Sequence, residues 1–98
     1  MTTVHLSGHI DRRTVSEARH RLLDELRHGD ELHIDLKDVE WIDSSGLAIL
    51  VEIAQQTRRA GMQLHLHRVG EHVMKMMRLA HLDGIFSIHE NRAGPTLH

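Results

Sequence analysis

The strongest constraint on this chain is a hydrophobic period that switches from two residues to three or four and back, three times over. Residues 3–7, TVHLS, alternate with Val4 and Leu6 on one face, and 31–36, ELHIDL, repeat the pattern with Leu32, Ile34 and Leu36. A third alternation at 62–67, MQLHLH, turns Met62, Leu64 and Leu66 inward, and a shorter fourth strand is expected at 85–88, IFSI. Period two marks half-buried strands. Between them, Val15, Ala18, Leu22 and Leu26 share one helical face, with Thr14 as N-cap, Glu17 three residues on as a capping-box partner and Gly29 beyond the end. Leu47, Leu50, Val51 and Ala54 mark a second helix closed by Gly61, and Val73, Met76, Met77 and Ala80 a third before Gly84. In the segment MKMMRLAH, Met76 and Met77 read as core filler and Met74 as the methionine left outside.

The order β-α-β-α-β-α-β implies right-handed crossovers and a sheet that is at least partly parallel. The fold expected is a small α/β domain with a mixed sheet of about four strands. Strict alternation adds a further condition, because strands covered on both faces read as continuous apolar runs. Helices therefore belong mainly on one face, and the other carries His5, His33, Asp35, His65 and His67.

Ninety-eight residues suit a single domain, taken here as 1–90, followed by an irregular tail at 91–98. No internal repeat is present. The absence of cysteine excludes disulfides, a thiol nucleophile and a cysteine-ligated zinc site. No stretch approaches the length of a spanning segment and MTTVHLSGHI lacks the pattern of a signal peptide, so a cytoplasmic protein without membrane insertion is expected. A formal charge of −2, with arginine pairs scattered among acids, lacks the basic stripe that direct nucleic-acid binding requires. Histidine is abundant: protonating all 11 would move the formal charge from −2 to +9.

The stretch WIDSSGLAILV, residues 41–51, places an acid, two hydroxyls and a glycine where an apolar helix begins. Spacing alone favours capping, since Asp43, Ser44 or Ser45 each satisfies free N–H groups at a helix start. Yet two hydroxyls and a carboxylate exceed what one cap needs, and Gly46 lets another backbone approach closely. At 100° per residue Ile49 falls roughly 150° from the centre of the Leu47/Leu50/Val51/Ala54 stripe and is expected to face outward, making a docking surface beside the hydroxyls. Catalysis finds no support. Neither serine sits in G-x-S-x-G, and no phosphate-binding or dinucleotide-binding glycine motif occurs, so neither an enzyme nor a cofactor is expected. The histidines are read as polar residues on a solvated sheet face, with no metal; His5, His33, His65 and His67 are the side chains that zinc, nickel or copper would use.

DVEWIDSSGLAILVEIAQQTRRAGMQLHLHRV followed by MKMMRLAHLDGIFSI resembles the STAS family of anti-sigma factor antagonists and their relatives, and LSGHID is similar to that family's G-x-L-D strand ending, with Ile10 in the Leu position. The match covers roughly residues 4 to 89. The resemblance implies a phosphorylation switch, in which a partner anti-sigma factor with Ser/Thr kinase activity modifies the first hydroxyl residue after the aspartate, here Ser44. It implies that unmodified protein binds that partner, that phosphorylated protein does not, and that a phosphatase restores binding. Asp11, Asp43, Ser44, Ser45, Gly46 and Ile49 are the expected partner-binding residues. The antagonists usually have a further strand before the G-x-L-D strand, whereas seven residues precede Gly8 here. The family also includes accessory subunits of lipid-trafficking ABC transporters, with a short N-terminus and a hydroxyl residue at the same position; in that alternative the partner is an ABC ATPase subunit. A histidine-based metal or acid sensor is the third reading.

Overall fold

A computed structural model describes residues 2–26 and 29–89. The elements run β1 (Thr2–Ile10), α1 (Val15–Glu25), β2 (Glu31–Ile42), α2 (Ser44–Arg59), β3 (Gln63–His67), α3 (Glu71–Leu79) and β4 (Ser87–His89). The expected tail at 91–98 lies outside the described residues. All three strand pairings are parallel and the order is β1-β2-β3-β4, so the sheet is not mixed as the sequence led us to expect. A sequential parallel order follows from repeating one right-handed crossover in one direction, which returns every helix to the same side. Accordingly α1 packs on β1, α2 on β2 and β3, and α3 on β2. The core lies between the layers. Leu32, Ile34, Leu36 and Leu66 from the sheet meet Leu22, Leu50, Ile53, Val73 and Met77 from the helices, all essentially without exposure.

β2 runs six residues beyond the expected 31–36 and carries the fold's main irregularity. Its pairing with β1 shifts register twice, between His5 and Ser7 and between Gly8 and His9. Such bulges reset which residues point inward, so Leu36, Val39 and Ile42 are all buried although their spacing is not two. Trp41 is left half exposed as a result.

Two local expectations are corrected. Thr14 sits at the N-cap of α1 without making a side-chain cap, because its hydroxyl donates to the His9 carbonyl (2.7 Å) and accepts from the Asp11 N–H (3.0 Å). The threonine ties the end of β1 to the helix instead of forming a capping box with Glu17. Ile49 does not face away from the core: it is half-buried and packs against it. The buried residues of α2 are Gly46, Leu47, Leu50, Ile53 and Thr57, a stripe centred roughly 80° from Ile49. The apolar pattern Leu47/Leu50/Val51/Ala54 omits Ile53 and the polar Thr57, whose hydroxyl is satisfied by the Ala54 carbonyl at 2.9 Å.

Candidate functional site

The start of α2 lies against the C-terminal end of β1. The Asp43 N–H donates to the Ile10 carbonyl at 3.3 Å, and Gly46 closes the approach behind it. A Cβ on Gly46 would stand 2.7 Å from the Ile10 oxygen and 2.5 Å from Ile42 Cγ1, distances no alanine tolerates without a shift of backbone. Gly46 is buried, so its part is internal: it sets how closely the helix meets the strand.

Each polar group at this helix start has a distinct role. Asp43 is the cap, with one carboxylate oxygen accepting from the N–H of Ser45 (2.9 Å), the N–H of Gly46 (3.1 Å) and the Ser45 hydroxyl (2.6 Å). Ser45 is therefore held by the cap and is not the cap itself. Ser44, the first helical residue, is exposed, and its hydroxyl has no hydrogen-bond partner among the described residues. The Ser45 hydroxyl, followed by backbone N–H groups of Gly46, Ser45 and Arg12, holds the Asp43 carboxyl below the usual carboxylate range against some desolvation. An ionised carboxylate and a free hydroxyl thus stand side by side at the positive end of a 16-residue helix.

Asp11 reaches the same edge through Ile10. Its carboxylate accepts from the Arg13 N–H (2.9 Å), shaping the β1–α1 turn, and it is half-buried. The structure thus brings Asp11, Asp43, Ser44 and Ser45 together and leaves Ile49 on the flank of the core. It also supplies a pair that the sequence reading missed. Trp41, 48% exposed, stacks on His72 at the start of α3, with ring centroids 4.4 Å apart and planes 18° apart. The chain's single tryptophan, two residues before Asp43, was the available signal, but the bulges hid its orientation.

A second polar cluster covers the helix-free face of the sheet. Parallel register sets His33 beside His65 and Ser87, and His5 beside Asp35, His67 and His89. Adjacent strands lie about 4.8 Å apart, which is also a stacking distance for flat rings. His33 and His65 stack at 4.5 Å, and His67 and His89 at 4.7 Å. Asp35 is buried beneath this row, paired with Arg68 and 3.0 Å from His5 Nδ1. The Arg68 guanidinium, more than the neighbouring Lys37 N–H or His5, holds the Asp35 carboxyl below its usual range. Desolvation, then the neighbouring imidazoles, lowers the pKa of both His65 and His67. Glu31 and His89 belong to this cluster and were not anticipated; β4 begins and ends later than expected, at Ser87 and His89.

A family model described as "Mlab, STAS domain" matches residues 1–89. The anti-sigma-B factor antagonist of Bacillus subtilis (strain 168) is 29% identical over 91 residues, 93% of this chain and 84% of that protein. The crystal structure of an anti-sigma factor antagonist from Mycobacterium paratuberculosis is similar with a TM-score of 0.80 at 26% identity, covering 97% of this chain and 77% of that one. The anti-sigma factor antagonist SpoIIAA in its unphosphorylated form gives 0.76 at 16% identity over 94% of this chain and 81% of its own. The Bacillus cell fate determinant SpoIIAA in the phosphorylated form gives 0.71 at 15% over 94% and 84%. At those identities SpoIIAA speaks for the fold alone.

Proposed function

Because the chain belongs to the STAS domain family, we propose that it is an anti-sigma factor antagonist: a cytoplasmic regulatory protein, not an enzyme, that binds an anti-sigma factor with serine kinase activity and is released when Ser44 is phosphorylated. The observation that carries this reading is the division of roles at the start of α2. Asp43 caps the helix, Ser45 is bound to Asp43, and the Ser44 hydroxyl is exposed and unengaged. A kinase reaches it without dismantling any hydrogen bond of the fold.

The consequence of modification follows from charge. A phosphate adds about −1.5 to −2 at neutral pH, which a helix N-terminus tolerates when solvated. In an interface the same group lies beside the ionised Asp43, where repulsion and desolvation oppose docking. Phosphorylation thus removes the partner and spares the domain, and a phosphatase reverses it. The docking surface comprises Asp11, Asp43, Ser44 and Ser45, extended by Trp41 on His72.

Calorimetric titration with the partner kinase, beside a denaturant melt, tests this. Ser44→Asp should weaken binding at least about tenfold while stability changes by no more than about 1 kcal/mol. Equal affinity in both proteins contradicts the switch and supports the second reading, an accessory subunit whose ABC ATPase partner docks on the same edge without modification.

A further inference from the structure

We propose that Glu31, His33 and His65 form a binding site for a zinc-class transition-metal ion on the helix-free face of the sheet. The site stands at the N-terminal end of β2, separated by roughly 30 Å of extended strand from Ser44, and does not depend on the function proposed above.

The geometry starts from register. His33 and His65 are directly paired, and Glu31, two residues back on the same strand, shares their face. Their Nε2 atoms converge on one carboxylate oxygen, His33 Nε2 at 3.0 Å and His65 Nε2 at 3.6 Å from Glu31 Oε1. All three ligand atoms lie within 4.8 Å of one another. With metal–ligand bonds of about 2.0–2.1 Å, the corners of a tetrahedral zinc site stand roughly 3.3 Å apart. The observed distances bracket that value.

The remaining ring nitrogens are arranged as a metal site needs them. A ligating imidazole binds through one nitrogen and donates the N–H of the other to an acceptor, which fixes tautomer and orientation. His33 Nδ1 lies 2.6 Å from His67 Nε2, and His65 Nδ1 lies 2.9 Å from His89 Nε2. Each ligand thus has a second histidine positioned to accept its Nδ1–H and leave the Nε2 lone pair for the ion. Among the described residues, His65 Nε2 is the buried side-chain polar atom with no hydrogen-bond partner. Such an atom is costly unless something completes it. Two imidazoles and a carboxylate suit zinc, nickel or copper better than magnesium or calcium, and three protein ligands leave a fourth position for water.

The test uses the whole chain, stripped with a chelator and titrated with Zn²⁺ by calorimetry and with Co²⁺ by visible absorption. One ion per chain and the absorption bands of four-coordinate cobalt are expected. His65→Gln and Glu31→Gln should each weaken binding at least tenfold, by roughly 10- to 100-fold for His89→Phe, which removes only the outer acceptor. His20→Gln, on the exposed face of α1, should bind as wild type does. Circular dichroism in chelator establishes that each variant folds, and Glu31→Gln, at the half-exposed start of its strand, serves should His65→Gln fail to. Absence of binding below millimolar Zn²⁺, or unchanged affinity in Glu31→Gln, overturns the site.

Discussion

The Ser44 edge and the histidine face stand at opposite ends of β2, and each carries a polar atom without a hydrogen-bond partner among the described residues. At the edge the atom is a hydroxyl open to water, so leaving it unpaired costs the fold almost nothing. On the histidine face it is His65 Nε2, buried, where the same omission is a penalty until something fills it. The difference separates two kinds of ligand. An exposed spare group is available to a macromolecule that must reach it, such as a kinase; a buried one admits only an ion or small molecule that fits among the rings.

The largest effect expected is at the edge, from Gly46→Ala. Its Cβ would meet the Ile10 carbonyl at 2.7 Å, and backbone yields less readily than a side-chain end. A loss of about 1–3 kcal/mol in a denaturant melt is expected. Wild-type stability in this variant would mean that α2 stands off β1 with room to spare, and the placement of Ser44 would lose its physical basis.

Acidification reaches the histidines of the sheet face before the carboxylates of either region. The folded pKa values of His65 and His67 are lowered, so the unfolded chain binds more protons and their contribution to stability, complete above about pH 6.5, is lost as pH falls through the folded values. Asp43 is also lowered, but its contribution is complete above about pH 4 and is lost only below that. Melts in the presence of chelator should therefore weaken first as pH falls below about 6.5, and His65→Gln with His67→Gln should flatten that limb alone. An unchanged slope in the double variant would contradict the burial assigned to the face.

Smaller again is the contrast between neighbours. Asp43→Ala removes an N-cap and should cost about 0.5–2 kcal/mol, whereas Ser44→Ala should stay within about 0.5 kcal/mol of wild type, as exposed substitutions usually do. Chemical denaturation of the two variants checks this. Equal losses would show that the Ser44 hydroxyl is engaged in the fold after all.

Much of this architecture was legible in the sequence because period two and period 3.6 alternate cleanly through Val4, Leu22, Ile34, Leu50 and Leu66. What was not legible came from interactions that period does not encode. The bulges after Leu36 altered the inward set and so concealed Trp41. Thr57, polar yet buried, shifted the core stripe of α2 towards Ile49. The edge was half readable: the motif put Asp43 and Ser44 at a helix start, where the structure has them, but only the hydrogen bonds separate the cap from the free hydroxyl. The histidine face was legible as a face, while the convergence of Glu31, His33 and His65 depends on strand register, and His89 on where β4 ends.

The most direct test of the central claim, that the fold frees Ser44 and occupies Ser45, is site-resolved mass spectrometry after incubation with the partner kinase. A single phosphate on Ser44, none on Ser44→Ala, and full modification of Ser44 in Ser45→Ala are expected. Phosphate on Ser45 in the wild-type chain, or undiminished labelling of Ser44→Ala, would contradict it.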